Sequence, residues 1–373
     1  MKKIFLALAC LLSLQAMAKD NSPYIYKVYD FRPAPGQFTN TLPEYEAGNT
    51  QADMNAKCEE YLAGQAKGSM VCLGAYGGYI IFGFDHNVAN KPGDYDFKIY
   101  GNAFKEPGLA NAGSAEPGIV MVSYDSNHNN QPDDQWYELA GSDYYKASTL
   151  HSYEITYYKP RGNEPDDTYI RWSSNDSAEP SGYVKRNTFH RQSYWPEWID
   201  GNEIKFSGSR LAKNAYMENN TWLLRMLAWG YVDNRPNTED PGFKIDWAVD
   251  ANGNPVQLNQ ISFVKVYTGV NQYCGDLGET STEIIGAEDL HPTYAGVEGI
   301  TDEHHIALLG SGNGLLQLDN GTETAVSGIL YDLQGRSAMQ ILIEPGYQSI
   351  DVSSVAPGLY VLRAGSATFK IKL

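Results

Sequence analysis

The sequence predicts an all-β protein: a jelly-roll or β-sandwich main domain with one N-terminal helix, followed by a small C-terminal β-sandwich. Three observations support this class. Glycine (36), proline (18) and tyrosine (27) are plentiful, as expected of a chain with many turns. One stretch near the N-terminus has a helical pattern. The rest alternates short apolar runs with turn residues, which is typical of antiparallel strands.

The first eighteen residues have the pattern of a signal peptide. Lys2 and Lys3 form a basic start, residues 4–14 are apolar, and residues 16–18 (AMA) fit a small-x-small cleavage site. We expect residues 1–18 to be removed, so that the mature chain begins at Lys19. The alternative, a lipoprotein signal ending at Cys10, leaves only about six apolar residues before the cysteine, fewer than the usual span of about 7 to 15. The sequence therefore predicts a protein that is secreted or displayed on the exterior of the outer membrane.

The charge of the chain excludes one large class of partners. The formal net charge is −17, and loss of the two lysines of the signal segment would leave −19. A chain this acidic is not expected to bind nucleic acid or an anionic membrane. No later stretch reaches the 18 apolar residues that a membrane-spanning helix needs.

Three cysteines remain after cleavage, which are Cys58, Cys72 and Cys274. They are too few and too irregularly spaced for a metal cluster. A disulfide between Cys58 and Cys72 would join the helix to the next strand in a compartment that permits oxidation. The alternative is three buried thiols.

The helix is predicted over residues 50–62. Thr50 is the N-cap, Asp53 occupies the capping-box position, and Gly64 follows the end. One face of this helix carries Met54, Cys58, Tyr61 and Leu62.

The remainder of the main domain, residues 19–292, contains eleven short apolar or alternating runs that predict strands. They are residues 70–73, 79–84, 96–100, 118–124, 136–140, 151–158, 169–172, 203–206, 222–232, 243–249 and 262–267.

The composition changes after residue 292, where glycine and small polar residues become frequent. We place a linker at residues 293–304 and a second domain at residues 305–373. Six strands are predicted there, at residues 314–318, 326–333, 339–343, 348–352, 358–363 and 369–373. Gly335 is expected to close a hairpin after Asp332, and Pro357 with Gly358 is expected to form a type II turn in which the glycine has a positive φ.

This C-terminal segment resembles the sorting domain of type IX secretion. The resemblance rests on YDLQGR at residues 331–336, IDV at 350–352, APGLYVLR at 356–363 and FKIKL at 369–373, in that order. It implies export across the outer membrane, attachment to the cell surface, and the secretion machinery as a partner. The alternative is a plain β-sandwich domain with no sorting role.

The main domain resembles, more loosely, a family of exported cell-surface proteins of Bacteroidetes. The residues concerned are YDFRPAPGQF at 29–38, GFDH at 83–86, DFKIYGNAF at 96–104 and EPGIV at 116–120. The pattern of strands is also similar to galactose-binding-type and concanavalin-type jelly rolls. Neither resemblance implies a particular activity, because one fold serves many functions.

One loop has the residues of a calcium site. Calcium prefers six to eight oxygen ligands, and alternate side chains of a tight loop can supply them. The side chains of Asp125, Asn127 and Asn129, the carbonyl of Gln131, and a carboxylate of Asp133 or Asp134 fit that order. The loop departs from an EF-hand, since Asn130 replaces the glycine at position 6 and Trp136 replaces the glutamate at position 12. We predict calcium here; the alternative is a metal-free hairpin loop rich in Asn and Asp.

A second stretch repeats the spacing with fewer acids. Asp246, Asp250, Asn252 and Asn254 are candidate ligands for a second cation. Asn252 with Gly253 is also a strong hairpin signal, and we favour the turn.

Aromatic residues are dense between Tyr144 and Trp198. In the stretch SYWPEW (residues 193–198), the proline and the charged residues indicate a loop. Tyr194, Trp195 and Trp198 are therefore our candidates for stacking on a planar ligand. The alternative is that these rings fold back over the end of the sandwich.

No catalytic motif is recognisable, so we predict no catalytic residues and lean against an enzyme. The sequence predicts a cell-surface, calcium-stabilised protein that binds an extracellular carbohydrate or another nutrient. Two alternatives stay open: a hydrolase acting on glycans, and a protein that captures a corrinoid-type nutrient.

Overall fold

The computed structural model describes residues 21–292, 306–312, 314–322, 324–365 and 367–373. The predicted signal peptide (residues 1–18) and the predicted linker (residues 293–304) lie outside the described residues. No helix in the described ranges is long and apolar enough to cross a membrane.

The predicted helix is confirmed as α1, Gln51–Leu62. Thr50 caps it, since the Thr50 side chain accepts a hydrogen bond from the Asp53 N–H while the Asp53 carboxylate accepts one from the Thr50 N–H at 2.7 Å. This reciprocal pair satisfies two backbone donors that a helix end leaves free. Met54, Cys58 and Leu62 are buried, so the predicted apolar face is the one that packs.

Eighteen strands are found between residues 21 and 292. They are β1 Lys27–Arg32, β2 Val71–Cys72, β3 Tyr79–Ala89, β4 Phe97–Tyr100, β5 Phe104–Lys105, β6 Ala112–Ser114, β7 Gly118–Ser123, β8 Trp136–Leu139, β9 Leu150–Tyr158, β10 Ile170–Ser174, β11 Ser181–Val184, β12 Glu203–Arg210, β13 Ala215–Glu218, β14 Thr221–Arg225, β15 Ala248–Val249, β16 Gln260–Thr268, β17 Glu283–Ile284 and β18 Gly286–Asp289. The described part of the C-terminal segment adds β19 Ile306–Gly312, β20 Leu315–Asn320, β21 Val326–Asp332, β22 Ser337–Ile343, β23 Gly346–Asp351, β24 Leu359–Ala364 and β25 Ala367–Lys372.

A six-stranded antiparallel sheet lies at the centre of the body, in the order β1-β3-β16-β7-β8-β15. Successive residues of its strands face opposite sides. One face, with Phe82, Val120 and Val264, packs with α1 in one core cluster. The other face, with Ile119 and Tyr267, packs in a second cluster.

The second cluster is closed by a four-stranded sheet, β11-β10-β9-β12. Smaller sheets complete the body, in the orders β13-β14-β6-β5, β17-β2 and β18-β4. The predicted all-β class, with one helix in the described residues, is confirmed.

Two predicted strands are interrupted by irregular backbone. The run at residues 222–232 is a strand only to Arg225 (β14), and a loop containing Gly230, at φ 85°, follows it. The run at residues 243–249 contains a 3-10 turn, Ile245–Trp247, before the two residues of β15.

The C-terminal segment forms a three-stranded sheet, β19-β20-β23, and a four-stranded sheet, β22-β21-β24-β25. Side chains from both sheets share one core, including Leu316, Leu330 and Ile371. The segment also contacts the body, since the Gln317 amide donates to the Tyr137 hydroxyl at 2.7 Å and His128 lies 2.7 Å from the Asp319 carboxylate.

The two turn predictions in this segment have different outcomes. The Gly335 N–H donates to the Asp332 carbonyl at 2.9 Å and Gly335 has φ 78°, as expected of a closed hairpin. Gly358 is not among the glycines with positive φ, so the predicted type II turn is wrong. Gly358 instead exchanges two backbone hydrogen bonds with Leu373, which extends the β24–β25 ladder.

The possible disulfide between Cys58 and Cys72 is not present. Both residues are free thiols with no exposed surface, as is Cys274. Cys58 lies on the buried face of α1 and packs in the core, whereas the Cys72 thiol lies 3.2 Å from the Ser281 hydroxyl. The two side chains are directed to different partners, so the alternative of buried thiols is the one observed.

A polar contact joins the two large sheets at Glu138 of β8. The Ser209 hydroxyl, on β12, donates to the Glu138 carboxylate at 2.8 Å. The Ser209 N–H donates to the Tyr267 hydroxyl at 3.0 Å. Burial raises the pKa of Glu138 to about 7, because the interior disfavours the charged form.

We expect Glu138→Gln to stabilise the protein increasingly as the pH rises from 5 to 8. Between the ordinary glutamate pKa and about 7, the folded protein holds a proton that the unfolded chain has released, so its stability falls as pH rises. The amide does not titrate and avoids this loss, which is at most a few kcal/mol at about 1.4 kcal/mol per pKa unit. Thermal melts of the parent protein and of Glu138→Gln at several pH values measure the difference in stability. The matched control is Glu203→Gln, which changes an exposed glutamate. An equal effect of Glu138→Gln at pH 5 and pH 8 would contradict it.

Candidate functional site

The aromatic rings predicted to face a ligand are in the protein interior. Tyr194 and Trp195 have no exposed surface and Trp198 is 9% exposed. Trp198 stacks between Phe31 and Tyr45, with ring centroids 5.8 and 5.9 Å away. The prediction that these three rings form the ligand surface is therefore wrong, and the alternative, rings folded back into the sandwich, is what the structure shows.

Long-range hydrogen bonds hold that loop inward. The Asn40 amide donates to the carbonyls of Ser193 and Trp195, both at 2.8 Å. The Tyr194 hydroxyl accepts from the Asn187 N–H at 2.8 Å. These bonds give hydrogen-bond partners to the two carbonyls and the hydroxyl, which would otherwise be buried without partners.

The candidate calcium loop lies between β7 and β8 and folds around the Asp125 carboxylate. One oxygen of this carboxylate accepts from the Asn129 N–H at 3.1 Å and the other from the Asn130 N–H at 2.8 Å. Asn130 and His128 have φ of 56° and 55°. Asparagine tolerates this left-handed conformation, which explains how Asn130 can occupy the position where an EF-hand has glycine.

The polar side chains of the loop bond to one another and to the loop backbone. The side-chain carbonyls of Asn127 and Asn129 accept backbone N–H bonds from Asn129 and Gln131, at 3.0 and 2.7 Å. Both amide groups donate to the Asp133 carboxylate, at 3.2 and 3.0 Å. The structure thus brings together Asp125, Asn127, Asn129 and Asp133.

Asp134 supplies the observation that a metal-free turn does not explain. One oxygen of its carboxylate is hydrogen-bonded by the Ser126 hydroxyl. The other is buried and has no hydrogen-bond partner. A buried carboxylate oxygen without a donor is costly, and a cation would compensate for it. The donor set consists of oxygen atoms, which fits a hard cation such as Ca²⁺.

The second candidate stretch forms a turn. The Asp250 carboxylate accepts from the N–H groups of Asn252 and Asn254, at 2.8 and 2.9 Å, and Gly253 has φ 78°. Asp246 is bonded instead to the Asn90 amide at 2.7 Å. These contacts support the hairpin interpretation that the sequence favoured.

The structure shows an exposed aromatic cleft that the sequence did not indicate. Trp229 is 43% exposed, and its ring lies on Trp247 with centroids 4.7 Å apart. Tyr95 meets the same Trp247 edge-on at 6.0 Å. The cleft has a volume of about 260 Å³, and its lining includes Tyr95, Trp229, Tyr231, Arg235, Glu239 and Asp240.

The loop that carries Trp229 is firmly held. The Arg235 guanidinium donates through Nε to the carbonyls of Leu227 and Ala228, each at 2.9 Å. Gly230 passes so close to Gly141 that a Cβ on Gly230 would lie 2.6 Å from the Gly141 Cα. A side chain at Gly230 would therefore displace the loop, which makes this glycine a requirement of the cleft.

Charged groups of both signs line the cleft. Glu239 pairs with Lys105 at 2.6 Å and lies 4.0 Å from Arg235. Burial is the main cause of a raised pKa at Asp240, whose carboxylate accepts from the Gly242 N–H at 3.0 Å. An adjoining hollow of about 500 Å³, which includes Tyr216 and Arg225 in its lining, shares Ala228 and Arg235 with the cleft.

Sequence reasoning missed this cleft because it assigned residues 222–232 to one strand. The signal that could have found it is the turn chemistry after Trp229, namely Gly230, Asn234 and Pro236. Trp229 stands directly before the first of these residues.

Comparison with known proteins yields no assignment: the chain matches no protein-family model and no curated protein.

We expect calcium to raise the melting temperature of the protein and Asp125→Ala to reduce that response by the contribution of the loop. A ligand that binds the folded state alone stabilises it by RT ln(1 + [L]/Kd). With a Kd of about 10⁻⁴ to 10⁻³ M, about 10 mM calcium would add roughly 1.4 to 2.7 kcal/mol. Thermal melts with calcium and with chelator measure it.

The matched control for this experiment is Asp250→Ala, which alters a similar turn and should leave the calcium response intact. Identical melting curves for the parent protein in calcium and in chelator would contradict the calcium assignment.

Proposed function

We propose that this protein is an exported cell-surface binding protein that captures an extracellular carbohydrate in the cleft beside Trp229, with Ca²⁺ stabilising the Asp125 loop. The observation that carries the proposal is the exposed Trp229 indole at a cleft lined by charged side chains.

The chemistry of the cleft suits a sugar ring. The C–H face of a sugar packs on an aromatic ring. Pairs of aromatic rings add about 0.5 to 1.5 kcal/mol beyond the area buried, and we take the same range for this contact. Sugar hydroxyls both donate and accept hydrogen bonds, so they can pair with the carboxylate of Glu239 and the guanidinium of Arg235. An apolar surface with a few polar groups at its edge is the usual composition of a ligand site.

The size of the cleft favours a sugar over a corrinoid. Its volume of about 260 Å³ is close to the lower end of the range for small-molecule sites, about 300 to 1,000 Å³. One sugar ring fits this space, whereas a corrinoid macrocycle needs much more. The adjoining hollow of about 500 Å³ offers room for a further sugar unit.

Binding is favoured over hydrolysis because the carboxylates of the cleft, Glu239 and Asp240, already have bonding partners in the protein. Glycosidases need one carboxyl group to protonate the leaving group and a second as base or nucleophile. Glu239 is ion-paired with Lys105, and Asp240 is bonded to the backbone of its own loop. These contacts hold both side chains in place, while their remaining lone pairs can still accept hydrogen bonds from sugar hydroxyls.

Export and display are supported by the sequence. The signal-like first eighteen residues and the resemblance of residues 305–373 to a type IX sorting domain are the grounds for a surface location and for the secretion machinery as a partner. The strongly acidic composition argues against nucleic acid.

We expect Trp229→Ala to weaken glycan binding about tenfold or more while the fold is retained. The variant loses the stacking contact and the area that it buries. A loss of about 1.4 kcal/mol of binding free energy corresponds to a tenfold weaker affinity. A glycan array identifies the ligand, and calorimetry with that glycan then compares parent and variant. Glu239→Gln is a second variant, which should lower affinity by removing a charged acceptor.

The control is Tyr183→Ala, which removes another exposed aromatic ring, 46% exposed, that does not line the cleft. It should leave affinity unchanged. A hydrolysis assay runs on the same samples, and turnover of the bound glycan would favour the hydrolase. Binding of a corrinoid with no glycan bound would overturn the proposed ligand class.

A further inference from the structure

Three carboxyl groups that belong to neither the cleft nor the Asp125 loop meet inside the body. Glu116 lies two residues before β7, Asp233 lies in the loop after β14, and Glu283 begins β17. One carboxylate oxygen from each lies within 4.8 Å of the other two. Asp233 and Glu283 are each 3% exposed, and Glu116 is half-buried.

Asp233 is held in place by backbone donors. One of its oxygens accepts from the N–H groups of Asn102 and Ala103, both at 2.7 Å, and the other accepts from the Glu283 N–H at 3.0 Å. A Cβ on Gly101 would lie 2.6 Å from the first oxygen. Four chain segments therefore converge on this carboxylate. Its first oxygen already accepts two hydrogen bonds, whereas the second accepts one and keeps a lone pair for a further partner.

The cluster has no compensating positive charge among the described residues. No described lysine, arginine or histidine forms an ion pair with Glu116, Asp233 or Glu283. Burial, and then the neighbouring acids, raise the pKa of Glu116 and of Glu283, and burial is likewise the main cause of a raised pKa at Asp233. Three carboxylates in such surroundings must either bind protons or share a cation.

The surroundings of the Glu283 carboxyl favour the cation. Oε1 of Glu283 accepts from the Ser281 hydroxyl at 2.8 Å. Oε2 of the same carboxyl is buried and receives no hydrogen bond from an N–H or hydroxyl group. The other close partners of this carboxyl are the carboxyl groups of Glu116 and Asp233. We propose that Glu116, Asp233 and Glu283 form a binding site for a hard divalent cation of the Ca²⁺ type.

The dimensions and the donor atoms fit this ion class. Calcium binds oxygen at about 2.3 to 2.6 Å, so two oxygens on opposite sides of one ion lie about 4.6 to 5.2 Å apart. The separation of at most 4.8 Å in the cluster agrees with that limit. Carboxylate oxygens are hard donors that select such cations over softer transition metals. An ion here would join segments that contribute to the sheet interior, so its role would be structural.

The test is a count of bound calcium ions on the full mature chain. The protein is stripped with chelator, equilibrated with calcium by dialysis, and analysed by atomic emission. We expect two ions in the parent protein, one in Asp125→Ala, one in Glu283→Gln and none in the double variant. Glutamine at position 283 keeps an acceptor for Ser281, and Glu203→Gln is the matched control that should still bind two.

The counts separate this site from the Asp125 loop. One ion in the parent that persists in Asp125→Ala and disappears in Glu283→Gln would support the carboxylate site and remove the loop from the proposed function. If Glu283→Gln does not fold, Glu116→Gln takes its place and must lose one ion. No ion in folded Asp125→Ala, or an unchanged count in a folded cluster variant, would overturn the proposal.

Discussion

Burial of both faces of the six-stranded sheet is the constraint on which the rest of this structure depends. A strand presents alternate side chains to opposite faces, so a sheet with one face in solvent would need polar residues at every second position. Here Phe82 and Val264 pack on the side of α1, while Ile119 and Tyr267 pack on the side of the second sheet. The chain must therefore provide two covering layers, and most of the body consists of them.

This arrangement places polar groups in the interior, where each one needs a partner. Glu138 meets Ser209 between the two sheets. The Lys265 ammonium lies 4.1 Å from the centre of the Tyr79 ring, and burial lowers the pKa of this lysine. The cluster of Glu116, Asp233 and Glu283 places three acids close together in the interior. Each case shows an interior in which cohesion depends on specific pairs as well as on apolar area.

The candidate sites lie in connections between strands, because a covered sheet leaves its loops as the accessible surface. The Asp125 loop joins two adjacent strands of the central sheet, β7 and β8, and its His128 also contacts Asp319 of the C-terminal segment. The Trp229 loop follows β14 and is fixed by Arg235 and by the close approach of Gly230 to Gly141. Both loops are thus supported by elements whose positions are set by core packing.

The sequence by itself determined the features that depend on neighbours a few residues apart. The Thr50–Asp53 capping box defines the start of α1, the turn at Gly335 closes its hairpin, and the Asp125 carboxylate organises its own loop, because in each case the bonds join residues within five positions. The alternation of apolar residues likewise placed most of the strands and the all-β class. The tertiary structure alone decided which aromatic rings are covered and which acids meet. The Trp195 carbonyl accepts a hydrogen bond from the Asn40 amide, 155 residues away, and this bond helps to hold the loop inward. Glu116 meets Glu283 across a comparable distance in the chain. Exposure and clustering follow from contacts between segments distant in sequence, and no local pattern encodes those contacts.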